Sequence, residues 1–172
     1  MGRIVSDLHM KELFDLFNVP IGDWKALFLA HRAHDQKLMK EGTWSPDDHV
    51  LAKARNLLET LSGDIGEEAM EQVHDMLWIY YHHGITWALN KEKNRGMARS
   101  FASRAIILVT PGNPNRLTHF LYLLTNDRLE DAEKYASQIP KEIICTGDME
   151  PGPNPDWERA QEILADWKAG LI

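Results

Sequence analysis

Hydrophobic residues recur at intervals of three and four along nearly the whole chain, the spacing of a helix that buries one face. Residues 4 to 17 set Val5, Leu8, Leu13, Leu16 and Phe17 in this way. Val19-Pro20-Ile21-Gly22 then breaks the pattern, since Pro20 pushes Val19 away from helical angles. A second stripe starts after Asp23 and carries Trp24, Leu27, Phe28, His31 and Leu38 to a stop near Gly42. Lys37 and Lys40 fall in its last turn, where cations suit the helix dipole. Ser45-Pro46-Asp47-Asp48 predicts a third start, with Ser45 as N-cap and Pro46 in the first helical position. Val50, Leu51, Ala54, Leu57, Leu58 and Leu61 follow at helical spacing, and Ser62-Gly63-Asp64 closes that element.

From Glu67 to Leu89 the pattern changes character. Met70, Val73, Leu77, Tyr80, Gly84 and Trp87 make one stripe, while Trp78, Tyr81 and Ile85 make the opposite side apolar too. A helix apolar on two sides is expected to be central. Beyond a basic spacer, residues 96 to 109 carry Ala98, Ala102 and Ala105, and Pro111-Gly112-Asn113-Pro114 is a turn. Residues 115 to 125 and 129 to 139 are two further helices, broken at Asn126-Asp127 and stopped by Pro140. Residues 141 to 156, rich in Pro and Gly, read as a loop, and Asp156 is expected to cap a last helix with Trp157, Ala160, Ile163, Leu164 and Trp167.

No stretch sustains the alternation of a strand, so the fold class is all-α, about eight helices joined as antiparallel hairpins. The expected layout is a helical domain over residues 1 to 140, the loop 141 to 156, and a helix at 157 to 172 docking on the same domain. The hairpins stack either as an irregular bundle or as a short array. Over residues 67 to 140 the order Tyr80, Gly84, Trp87, turn, Ala98, Ala105, Pro111 resembles degenerate tetratricopeptide repeats. Ala132, Ala136 and Pro140 echo it in a second, shorter unit, and the Gly84-to-Ala98 spacing is longer than the family pattern. The resemblance implies helix pairs that pack through small residues and offer a face to a protein partner.

Composition narrows the function classes. The chain has 172 residues, 26 acidic against 19 basic side chains and a net charge of −7, so nucleic acid is not the expected partner. One cysteine, Cys145, rules out an intrachain disulfide and an all-cysteine zinc site. No apolar run is long enough to span a bilayer, and the first residues lack the apolar core of a secretion signal, so the expected setting is cytoplasmic, with no membrane.

Eight histidines raise the question of a metal. His31 and His34 share a helix face, as do Glu71 and His74, and two such helices facing each other could bind a divalent transition metal. On the bland alternative His31 is a core residue, His34 and Asp35 sit at the stripe's edge, and Glu71 and His74 are solvated. Adjacent His82 and His83 point about 100° apart on a helix and cannot easily share one ligand. The spacer supplies Lys91, Lys93, Arg95, Arg99 and Arg104, a local excess of positive charge that suits an acidic partner, with the arginines expected on the exposed side of the alanine stripe. Trp78, Tyr81 and His82, with Trp87, could line an aromatic recognition surface.

No nucleophile elbow or phosphate-binding loop is present. The expected function is therefore a non-enzymatic protein–protein interaction module or adaptor, binding another protein or its own copy and needing no cofactor. A helical metal-binding protein or metal-dependent hydrolase using His31, His34, Glu71 and His74, and a sensor of a small ligand or peptide, are the alternatives.

Overall fold

A computed structural model of the chain describes residues 2–61, 65–109, 115–143 and 151–172, with side chains from Asp7 onward. Eight α-helices occur among them: α1 (Gly2–Leu16), α2 (Trp24–Glu41), α3 (His49–Thr60), α4 (Glu67–Asn90), α5 (Arg95–Ile107), α6 (Arg116–Thr125), α7 (Leu129–Gln138) and α8 (Pro155–Lys168). Between α7 and α8, β1 (Glu142–Ile143) pairs antiparallel with β2 (Gly152–Pro153). This all-α architecture is the one the hydrophobic spacing predicts. The small ladder lies in a segment read from sequence as loop, too short to leave an alternating signature. Pro111, Cys145 and the Ser62-Gly63-Asp64 stop fall outside the described residues.

Several helix ends follow directly from local chemistry. Asp23 caps α2 by accepting the Ala26 N–H at 3.1 Å. Gly42 closes α2 at φ 71°, a left-handed conformation that suits a residue without Cβ, and the Thr43 N–H returns to Leu38 O at 3.0 Å. Asn94 and Asn115 cap α5 and α6 through the N–H groups of Met97 and Thr118.

Two predicted caps are wrong. α3 is capped by Asp48, not Ser45: the Asp48 carboxylate accepts the Leu51 N–H at 3.1 Å, while Ser45 Oγ accepts from Asp47 N in the preceding turn. The reason is tertiary, because Trp44 and Pro46 are buried and hold the connector out of the helix. Likewise α8 is capped by Asn154, whose Oδ1 accepts the Asp156 N–H, with Pro155 in the first turn. Asn154 is fixed in place by its own bonds to Pro140 O and Lys141 O across the small ladder.

The chain divides into two compact units, Met1–Gly84 and Ile85–Ile172, and the division falls inside α4. In the first unit α1 packs on α3, with Leu13, Phe14, Leu27, Leu51, Leu58 and Met76 fully buried. Phe14 meets Trp24 edge-on at 4.9 Å, and Lys53 pairs with Glu12 at 3.1 Å. In the second unit each helix from α5 to α8 packs against the next in the chain, and α8 also reaches α6. Ala98, Ala102, Ala105, Ala132, Ala136 and Ala160 are buried there, the small residues that let helices approach closely. Among the described residues no helix is long and apolar enough to cross a membrane.

Candidate functional site

The polar chemistry of the first unit gathers on α2. His31, His34 and Asp35 lie at i, i+3 and i+4 on one face, and each reaches a different element. Asp35 is 1% exposed and its Oδ1 accepts two hydrogen bonds, from Trp44 Nε1 at 2.8 Å and from His83 Nδ1 on α4 at 2.9 Å. Because a carboxylate oxygen only accepts, His83 carries its proton on Nδ1. Tyr80, one turn before Gly84, donates its hydroxyl to Pro46 O at 2.8 Å and lies 6.1 Å from the Trp44 ring. Burial pushes the Tyr80 phenol above its ordinary pKa, so it stays a neutral donor. Residues 44 to 46 are thus bound to α2 through Asp35 and to α4 through Tyr80. The sequence placed Asp35 at the edge of the apolar stripe; it is instead buried, because Trp44 folds back over it.

His34 Nε2 sits 2.8 Å from Asp48 Oδ2, the oxygen that also caps α3. Burial works to raise the Asp48 pKa, but the bonds from His34 and from the Leu51 N–H outweigh it and hold the carboxyl below its usual range. The stability this adds is present above the ordinary carboxylate range and is lost as the group protonates on acidification. Asp48→Ala is expected to lower the stability of this unit by about 1 kcal/mol, with Asp48→Asn losing less because it can still cap. Urea unfolding at pH 7 checks both.

His31 is different. It is 1% exposed, its Nδ1 has no hydrogen-bond partner, and its ring lies 5.8 Å from that of Phe17, just past the end of α1. Desolvation pulls its pKa down to about 4, with Asp35 opposing and His34 and His83 adding to the shift. The ring is therefore neutral at physiological pH. The cluster as a whole holds two carboxylates and three imidazoles. Solvent reaches His34 and His83, whose side chains are 26% and 24% exposed, but not His31.

The four residues proposed from sequence as metal ligands are not brought together. Glu71 and His74 are exposed on α4, whereas His31 is in the core and His34 faces Asp48. Among the described residues no group of three or more His, Cys, Asp or Glu side chains is arranged to hold a metal ion. His82 and His83 separate as helical geometry predicts, His82 stacking on Trp78 at 4.9 Å while His83 turns to Asp35. Tyr81 is buried, and its hydroxyl bonds to Glu59 on α3. Of the aromatic recognition surface expected there, Tyr81 and His82 are buried and Trp78 is half-buried.

Of the basic spacer, Lys91 and Lys93 are exposed in the α4–α5 turn, where Lys93 adopts a left-handed φ of 52°. Arg104 is exposed on α5. Arg99 donates from Nε to Asn126 Oδ1 at 3.0 Å. Arg95 is exposed, as expected, but its guanidinium also serves α8. Its guanidinium lies 3.6 Å over the Trp167 ring and donates to Ile172 O at 2.8 Å and Trp167 O at 3.0 Å, closing the end of α8. Sequence reasoning also missed Trp44 and Asp48. The one signal for them was a polar i, i+3, i+4 set on an otherwise apolar stripe, followed closely by a Trp and an Asp.

No family model, curated protein or solved structure matches this chain.

Proposed function

We propose that the protein is a non-enzymatic helical interaction module, an adaptor that presents helix faces to another protein or to a second copy of itself. The observation that carries this reading is the serial packing of α5 to α8, in which each helix rests on the next in the chain. A stack built this way buries its small residues between neighbours and leaves an outer face of each helix open to a partner. On α5 that outer face carries Ile107, 78% exposed, together with Arg104. An apolar side chain with a cation one turn before it suits a partner surface that is apolar with an acidic border. The single cysteine and the lack of a membrane-spanning helix among the described residues support a cytoplasmic setting.

Photo-crosslinking in the host cell tests the proposal. A crosslinking residue at position 107, 104 or 91 of the full chain is expected to yield one discrete adduct, with another protein or with the chain itself. With the crosslinker at position 104, Ile107→Asp is expected to abolish the adduct without changing the helical circular dichroism of the protein. If no position gives an adduct, the adaptor reading fails.

A further inference from the structure

We infer that residues 1–84 carry a self-association contact, in which the cationic outer face of α2 lies antiparallel along the acidic outer face of the Glu67–Trp78 part of α4 in a second copy. The contact lies in the first unit and does not rest on the adaptor reading of α5.

α2 divides its side chains between two faces. Leu27, His31 and Asp35 are buried, whereas the opposite row, Leu29, Ala33, Gln36 and Lys40, is exposed, flanked by Lys25, Arg32 and Lys37. Leu29, 53% exposed, stands between Lys25 and Arg32 on this face. The acids of α2 are the buried Asp35 and its last residue, Glu41. Met1–Gly84 holds eight basic and fourteen acidic side chains, net −6, so half of its positive charge is gathered on one helix face. Among the described residues Lys53 and Arg55 pair with Glu12 and Glu59, but Lys25, Arg32, Lys37 and Lys40 make no ion pair.

The start of α4 has the opposite character. Glu67, Glu68, Glu71 and His74 are exposed, Trp78 is half-buried, and no lysine or arginine occurs from Glu67 to Gly84. Glu67, Glu68 and Glu71 likewise make no ion pair among the described residues.

The two rows also share a spacing. Leu29, Ala33, Gln36 and Lys40 are separated by four, three and four residues, and so are Trp78, His74, Glu71 and Glu67 taken in reverse. Each row therefore runs about 16 Å along its helix. Laid antiparallel, Leu29 meets Trp78, the small Ala33 leaves room for His74, Gln36 meets Glu71 and Lys40 meets Glu67. Arg32 and Lys40 then stand one turn to either side of Gln36, and both reach Glu71. Laid parallel, Leu29 would face Glu67 and Lys40 would lose its carboxylate, so charge selects the antiparallel arrangement. Water would satisfy either row alone. Complementarity in both sign and spacing between two faces of one chain is what selects a second copy, and a two-fold axis would make the contact twice.

Sedimentation equilibrium of the full chain tests the contact. Self-association is expected with a dissociation constant on the order of 50 μM, weakening about tenfold as salt rises from about 0.05 M to about 0.5 M. Arg32→Glu with Lys40→Glu is expected to weaken it about a hundredfold, as is Glu67→Lys with Glu71→Lys. Mixing the two doubly substituted chains is expected to restore association, because each then offers the face the other lacks. All four positions are exposed, and circular dichroism checks that the helices persist. Should either pair disturb the fold, Gln36→Glu, which sets a carboxylate opposite Glu71, is expected to weaken association about threefold in its place. The contact is overturned if the chain stays monomeric at about 500 μM, if the substituted chains associate like the unsubstituted one, or if mixing restores nothing. A monomeric chain that instead binds vesicles of phosphatidylcholine and phosphatidylserine, and loses this in Arg32→Glu with Lys40→Glu, would give the α2 face to lipid and also overturn it.

Discussion

Asp35→Ala is expected to destabilise the Met1–Gly84 unit by roughly 3 kcal/mol, a large loss for one side chain. The carboxylate is buried, and one of its oxygens serves both the Trp44 indole and the His83 imidazole. Removing it leaves two donors without their acceptor, and a buried unsatisfied donor costs about 1–3 kcal/mol. The harm spreads beyond the contact, because residues 44 to 46 are held against α2 by this bond and against α4 by the Tyr80 hydroxyl. Asp35→Asn keeps an acceptor oxygen and is expected to lose about half as much. Urea unfolding supplies the free energies. The Trp44 indole proton, observed by NMR, should move upfield in Asp35→Ala and much less in Asp35→Asn. Equal stability of Asp35→Ala and the unsubstituted chain would mean that Asp35 does not organise the connector.

Arg95→Ala is expected to loosen α8 by about 2 kcal/mol, the sum of a cation–π contact and two partly exposed hydrogen bonds. The guanidinium covers the Trp167 ring at 3.6 Å while its Nε and Nη2 donate to the main-chain oxygens of Ile172 and Trp167. An arginine in the first turn of α5 is locally unfavourable, since the helix dipole repels cations there, so its place is explained by α8 and not by its own helix. Arg95→Lys is expected to recover less than half of the loss, because an ammonium cannot stack and fork at once. Amide exchange within α8 should accelerate about thirty-fold in Arg95→Ala, with α6 amides little changed. The Lys168–Glu133 ion pair remains as a second attachment of α8. If exchange in α8 is unaffected, Arg95 is a surface cation and the basic spacer regains it for a partner.

The helices were legible because their signals are local. Asp23 and Gly42 bound α2 through bonds made within one turn, and the alanine stripe of α5 reports its buried face without reference to any neighbour. The misread caps share a cause. Ser45 and Asp156 are good N-caps by residue type, but the chain before α3 is held by Trp44, Pro46 and Tyr80, and that before α8 by the β1–β2 pairing. Contacts between residues nine or more positions apart thus chose among caps that local chemistry ranks alike. The candidate site was half legible. His31, His34 and Asp35 stand out as polar residues on an apolar stripe, but their partners Asp48 and His83 are fourteen and forty-eight residues away, distances over which a sequence carries no spacing rule.

By itself, then, the amino-acid sequence determined an all-α chain, most of the helix boundaries and most of the faces that are buried, because each depends on periodicity and on capping bonds spanning three or four residues. Only the tertiary structure decided which polar side chains are used. It buried Asp35 between Trp44 and His83, left His31 unpaired beneath Phe17, and turned Arg95 from a spacer cation into the closure of α8. The physical reason is that a polar group's role depends on desolvation and on the partner it meets, and both are fixed only when separate helices close around it.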